Sequence, residues 1–253
     1  LHIAPSIDGD FQLDPNALHI WPREKFMLIA LPNQDKSFTC TLFLPIDGSI
    51  SFDALSNPNT VTDFFCEYFG DVLPLLDNFP NLFFENPTGK LATVYAEKWQ
   101  YNNQFCLVGD AAHAVVPFFG QGMNASFEDC EVLMKCLDEA KGNWEMVCEK
   151  YNFIRKADGY AIANMAIENY VEMRDLVTQK EFLQKKETSN ILWKQFPDRF
   201  IPRYNMVSFT SIPYSEVYRR GEIQGQIIQD INPKNPNLKL AEKLIIEKLH
   251  PIL

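Results

Sequence analysis

No run of about 18 apolar residues occurs anywhere in this chain of 253, so nothing in it reads as a membrane-spanning helix. CxxC pairs are missing too. The six cysteines, at 40, 66, 106, 130, 136 and 148, fall mostly inside apolar runs, which argues against a zinc site or a disulfide frame. They read as small buried hydrophobes in a reducing, cytoplasmic compartment, and no metal is expected. Positive charge is scarce: 23 Lys and Arg stand against 33 Asp and Glu, a net charge of −10 that disfavours nucleic acid and anionic membranes as partners. There is no GxGxxG turn of the kind that opens a dinucleotide-binding unit. The sequence starts at Leu1-His2-Ile3 without an initiator Met or a visible secretory signal, and this start reads as the middle of a strand. Internal repeats and low-complexity tracts are also absent.

What is present is a chain long enough to bury a sizeable core, with 46% hydrophobic residues and room for one or two globular domains. Its most informative stretch is FCLVGDAAHAVVPFFGQGMNASFEDC, residues 105–130. The apolar run Phe105-Cys106-Leu107-Val108 predicts a buried strand that stops at Gly109-Asp110. An acid at the carboxyl end of a strand can accept hydrogen bonds from sugar or ribityl hydroxyls. Gly120 and Gly122 then precede a helical pattern at Met123, Phe127, Cys130, Val132 or Leu133, and Leu137. Two glycines before a helix let backbone N–H groups approach a ligand, and the helix start favours an anion or an electron-rich carbonyl. A cofactor cradle is the sharper reading and a plain turn the alternative. His113, three residues after Asp110, is read as structural and not as an acid or base.

Around this stretch the chain predicts a meander followed by helices. Three β-rich runs, at about 17–21, 26–31 and 37–44, are joined by short links and imply antiparallel pairing. Along the third, Phe38, Cys40, Leu42 and Leu44 share one face, while Thr39, Thr41 and Phe43 share the other. The first face is core. The second fits either a solvent-facing threonine ladder or a pocket wall. A helix over 61–69 is expected to end at Gly70, a strand is expected over 91–96, and a helix from Gly122 to Glu139 is expected to close at Lys141-Gly142. Asn143 caps a further helical pattern reaching about Val177, with a break at Gly159. Asn169 and Glu172 share a face of it, and taken alone they belong to a solvated surface. Residues 180–199 read as helical and then irregular, 232–237 as a linker, and the last amphipathic stretch as a docking helix.

The whole of residues 105–130 resembles the second flavin-binding motif of the FAD-dependent aromatic hydroxylases. With PFFGQGMN and FEDC included, it is most similar to the kynurenine 3-monooxygenase family. The likeness extends to Leu18-His19-Ile20-Trp21-Pro22-Arg23, to residues 26–33 and 37–43, to Glu168–Arg174 and to Phe200-Ile201-Pro202-Arg203-Tyr204. It implies an α/β (α+β) portion of the FAD/NAD(P)-binding, p-hydroxybenzoate-hydroxylase-like fold. The implied parts are a substrate-domain antiparallel sheet (1–103), a FAD-contacting strand-turn-helix (104–142) and a C-terminal helical region (143–253).

The resemblance also implies a reaction: hydroxylation of L-kynurenine to 3-hydroxykynurenine with FAD, NADPH and O2, within tryptophan degradation. Asp110 is implied to hold the ribityl region of FAD, beside Gly120 and Gly122, with Met123 and Asn124 at the pyrimidine edge. Leu18, Met27, Ile29, Leu31, Thr41 and Phe43 are implied as the floor of the substrate pocket. Pro117 and Phe118 are implied to close over the substrate, and Asn169, Glu172 and Tyr204 to grip its amino-acid end. No catalytic residue is assigned, because the flavin carries the chemistry. Members of that family begin with the GxGxxG region that this sequence lacks. The expectation is therefore a second half whose partner is the N-terminal half of the same enzyme, either in a bacterial-type form without the C-terminal anchor of eukaryotic relatives or in a truncated one. Hydroxylation of another aromatic acid and a non-catalytic binding fragment are the alternatives.

Overall fold

The structure is a computed structural model that describes residues 1–252, and the chain divides into two compact units. One comprises Leu1–Lys90 with Glu172–Thr178; the other comprises Leu91–Val171 with Gln179–Leu253. The division falls at Lys90 and not at residue 103, and no boundary separates 104–142 from the helices that follow.

The first unit is built on a four-stranded antiparallel sheet. Its strands are β1 (His2–Ile3), β2 (His19–Arg23), β3 (Phe26–Pro32) and β4 (Phe38–Phe43), in the order β1-β4-β3-β2. The continuous apolar run Phe26-Met27-Leu28-Ile29-Ala30 takes a central position and is buried on both faces, as such runs require. β2 runs two residues further than the sequence suggested, through Pro22 and Arg23. It is an edge strand, where a proline removes no ladder bond that the sheet needs. Helix α1 (Pro58–Tyr68) starts at a capping box formed by Asn57 and Thr60. It buries Val61, Phe64 and Phe65, at helical spacing, in one core with Phe26, Leu28, Ala30, Phe38 and Cys40. A short helix, α2 (Asn81–Glu85), follows, and the π-helical turn Glu172–Leu176 packs against β2.

The second unit opens with Leu91–Ala96, expected as a strand. These residues join no ladder: Val94 and Ala96 donate their N–H groups to Ala114 and Ala112, which belong to a helical turn and its exit. A two-residue hairpin comes next, β5 (Gln100–Tyr101) with β6 (Phe105–Cys106). Phe105 is 67% exposed, so the run expected as a buried strand is the tip of a hairpin that passes into irregular chain at Leu107. Apolar character marked the segment as extended. Among the described residues the only strand that pairs with it is β5.

Helices α3 (Asp110–His113), α4 (Gly122–Glu139), α5 (Trp144–Val171), α6 (Lys180–Gln195), α7 (Arg203–Phe209), α8 (Tyr214–Asp230) and α9 (Leu238–Lys248) make up the rest. α5 does not break at Gly159. An added Cβ there would lie 2.6 Å from Trp99 Cη2 and 3.0 Å from His113 Cδ2, so the glycine serves packing and not a kink. α9 docks as expected, placing Ala241 and Ile245 in a core with Leu192, Ile227 and Ile231. Of the six cysteines, all free, Cys66 and Cys130 are exposed, contrary to the expectation of burial; a helical position next to apolar residues can still face out.

Candidate functional site

From Gly109 to Asn124 the second unit forms a sequence of turns that depends on two glycines with positive φ. Gly109 (φ 64, ψ −142) precedes α3, and Gly120 (φ 65, ψ 23) ends the 3-10 turn Pro117–Phe119. A Cβ at Gly109 would meet Ser126 Oγ at 3.1 Å in a conformation that side chains rarely adopt, while Gly120 faces open space. α4 then begins with no side-chain cap and no acidic residue in its first turn. The amides of Gly122, Met123 and Asn124 therefore have no partner within their helix.

Asp110 stands at the start of α3 with its carboxylate exposed and engaged with no other described side chain. Met123 and Asn124 are exposed at the start of α4, and Asn124 donates to Gln121 Oε1 at 3.1 Å. Gln121 is buried and its Oε1 also accepts the Tyr214 hydroxyl at 3.0 Å, which fixes the residue between the two glycines. An exposed carboxylate, an open glycine and an uncapped helix start supply one acceptor and a group of donors within the same stretch of turns. That set fits the hydroxyls and the electron-rich carbonyl edge of a flavin.

Beneath the turns lies a buried ionic cluster. Asp129, 0% exposed, accepts from the Gly109 N–H (3.0 Å), from His113 Nε2 (2.6 Å) and from Arg155 Nε (2.7 Å). Arg155 also pairs with Asp158 (3.2 Å) and Glu128 (3.0 Å). Asp158 accepts the Ser215 N–H at the start of α8. Burial pushes the Asp129 carboxyl up, but the hydrogen bonds from His113, Arg155 and Gly109 outweigh it and hold the group below its usual range. An ionised Asp129 can only accept, so His113 carries its proton on Nε2. Glu128 goes the other way: burial raises its pKa more than Arg155 lowers it. His113 is stacked on Trp99 at 5.0 Å, so it is a packed structural residue. Burial also pushes the thiols of Cys106 up to about 12 and Cys40 up to about 11, so neither is a thiolate nucleophile at neutral pH.

Of the substrate residues implied by resemblance, the second unit brings four together. Asn169 Nδ2 donates to the Phe118 carbonyl at 2.7 Å, Tyr170 stacks on Phe118 at 4.5 Å, and Tyr204 stacks on Phe119 at 5.8 Å, next to Pro117. Tyr204 is 50% exposed. In the first unit, pairing sets Met27 opposite Phe43 and Ile29 opposite Thr41 on the sheet face away from the aromatic core. That face is not a plain threonine ladder. Thr41, Leu18 and Leu31 are exposed, Ile29 is buried and Met27 is wholly buried, so Met27 is a packing residue first. Glu172 lies in the π-helical turn of this unit, so its three-residue spacing from Asn169 is not one of a regular helix.

Sequence reasoning missed Asp129, Arg155 and Asp158. One signal was available: Ala125, Asp129 and Cys136 repeat at helical spacing, placing a carboxylate in an apolar register, where a buried partner is required.

Residues 78–152, which contain these turns, match the FAD binding domain family. Across its whole length the chain is 44% identical to a kynurenine 3-monooxygenase of Myxococcus xanthus, covering 55% of that protein. Kynurenine 3-monooxygenases of Dictyostelium discoideum (44% identical, 95% of this chain and 56% of the relative) and Cytophaga hutchinsonii (46%, 90% and 52%) are similarly close. Over its whole length the chain is similar to kynurenine 3-monooxygenases, and its middle carries the FAD binding domain match. It spans about half the length of the curated relatives it matches. Among solved structures, that of a tetracycline destructase, Tet(51), aligns over 83% of this chain and 54% of its own, with a TM-score of 0.46 and 17% identity. Among the described residues, no helix is long and apolar enough to cross a membrane, and no group of His, Cys, Asp or Glu is placed to hold a metal ion.

Proposed function

We propose that this chain is the flavin-edge and substrate-recognition part of an enzyme that hydroxylates L-kynurenine to 3-hydroxykynurenine. The observation that carries the reading is the pairing of the unengaged Asp110 carboxylate with the uncapped start of α4, inside the segment that matches an FAD binding domain. FAD, when bound, supplies the oxygen-transfer chemistry: NADPH provides two electrons, one atom of O2 enters the ring C–H bond at position 3, and the other leaves as water.

The chain's own residues bind, orient and exclude. Asp110 accepts from ribityl hydroxyls, and the Met123 and Asn124 amides donate to the pyrimidine edge and favour negative charge there. Gly120 and Gly122 keep that approach clear of side chains. In the second unit, Asn169 and Tyr204 read the amino-acid end of the substrate while Pro117 and Phe118 shield it from water. Considered by itself, the first unit has a semi-polar face of Leu18, Ile29, Leu31, Thr41 and Phe43 that suits an aromatic amine, with Met27 as its support and Glu172 as a carboxylate. The reading includes a cytoplasmic setting, in keeping with six free thiols.

The test uses the protein from the complete reading frame. NADPH oxidation and product formation are followed with L-kynurenine and, in parallel, with a benzoate-type acid. Kynurenine-dependent formation of 3-hydroxykynurenine is expected. Turnover of the benzoate alone would move the substrate to another aromatic acid, and absence of flavin from the purified protein would leave a binding fragment.

A further inference from the structure

Asp129 has no access to solvent, yet its hydrogen bonds join the separate pieces of the cradle. Its Oδ2 holds the amide of Gly109, immediately before Asp110, and the ring of His113 at the other end of the same helical turn. Its Oδ1 holds Arg155 on α5, and Asp129 itself belongs to α4, whose first turn carries Met123 and Asn124. The Arg155 guanidinium also donates to the Ala125 carbonyl, closing the link onto the beginning of α4. Gly109 sits in a backbone conformation that an extended or helical neighbour does not impose, so its orientation depends on what grips its N–H.

We infer that Asp129 is a positioning residue for the cofactor: it locks the Gly109–Asp110 peptide to α4, so that the Asp110 carboxylate and the Met123 and Asn124 amides address one ligand at a fixed spacing. The inference rests on the reading of Asp110 as a cofactor ligand. A buried ion pair with a purely structural role would stabilise the unit without any effect that passes through Asp110.

The experiment is an FAD titration of the full-length apoprotein, followed by flavin fluorescence, for Asp110→Ala, Asp129→Asn, the double variant, His113→Ala and His113→Gln. Asp110→Ala and Asp129→Asn should each weaken FAD binding about tenfold or more. The double should bind about as weakly as Asp110→Ala alone, not about a hundredfold more weakly than the wild type, because the two residues act as a unit. His113→Gln keeps an N–H for Asp129 and should retain affinity that His113→Ala loses. Unchanged affinity in Asp110→Ala would sink the reading of the site itself. Weakened binding in Asp110→Ala, with unchanged or additive effects of Asp129→Asn, would leave that reading standing and overturn the positioning role. Should Asp129→Asn fail to fold, the His113 pair decides: equal FAD affinity in Ala and Gln variants overturns the role, and rescue by Gln supports it.

Discussion

Asn169 donates its side-chain N–H to the carbonyl oxygen of Phe118 at 2.7 Å, so a residue implied to read the substrate also fixes the turn implied to close over it. Tyr170, the next residue, stacks its ring on Phe118 at 4.5 Å. The end of α5 and the Pro117–Phe119 turn are thus one packed assembly, and substitutions there report on stability and on recognition together.

Asn169→Ala should lower stability by about 1 kcal/mol, the usual net worth of such a hydrogen bond, and raise the KM for kynurenine in the full-length enzyme. Thermal unfolding and steady-state kinetics check the two effects. An unchanged melting temperature would show that the Phe118 carbonyl finds another donor.

Tyr204→Phe separates recognition from stability. The ring stacks on Phe119, and the hydroxyl engages no other described residue. The melting temperature should therefore hold while KM for kynurenine rises, since a site that hydrogen-bonds a polar head group discriminates against its loss. Unchanged kinetics would remove Tyr204 from the substrate residues.

Gly159→Ala tests the packing beneath the Gly109 turn. Alanine favours a helix by about 1 kcal/mol, but its Cβ would come within 2.6 Å of Trp99 and 3.0 Å of His113. Overpacking costs about 1–3 kcal/mol, so net destabilisation is expected in urea unfolding. A more stable variant would mean that Trp99 has room to move.

The pH dependence of stability follows from Asp129. Its folded pKa lies below the ordinary value of 3.8, so the folded state binds fewer protons than the unfolded chain as pH falls through that range. The stabilisation is fully present above the ordinary value and is lost as pH drops through the lower folded one. Melting temperatures measured from pH 6 downwards, on the order of one-unit steps, should fall less steeply in Asp129→Asn than in the wild type. Parallel curves would show that Asp129 does not carry the acid sensitivity.

Much of the fold was legible from local rules. α1 ends at Tyr68, close to the expected stop at Gly70, though it starts at Pro58, three residues before the expected 61. α4 ends at Glu139 just before the positive-φ Lys141 and Gly142, because φ preferences act within a few residues. The three strands of the meander were legible from apolar runs and short links. Leu91–Ala96 was not, because an apolar run becomes a strand only when its neighbour is one. α8 was missed as well: its buried face includes Arg220 and Gln224, polar side chains that apolar periodicity does not count.

By itself, the sequence determined the antiparallel meander, the glycine turns and the place of an acid beside them at Asp110, all of which are encoded in contiguous residues. Tertiary structure alone decided what lies beneath them. Gly109, His113, Asp129 and Arg155 meet across 20 and 26 residues of chain. No local rule states which carboxylate will answer which guanidinium. The same holds for Met123, Phe127 and Cys130, which belong to the apolar stripe read from the sequence and which lie exposed on α4. Periodicity identifies the side of a helix that favours burial, but only the packed neighbours determine which side is covered.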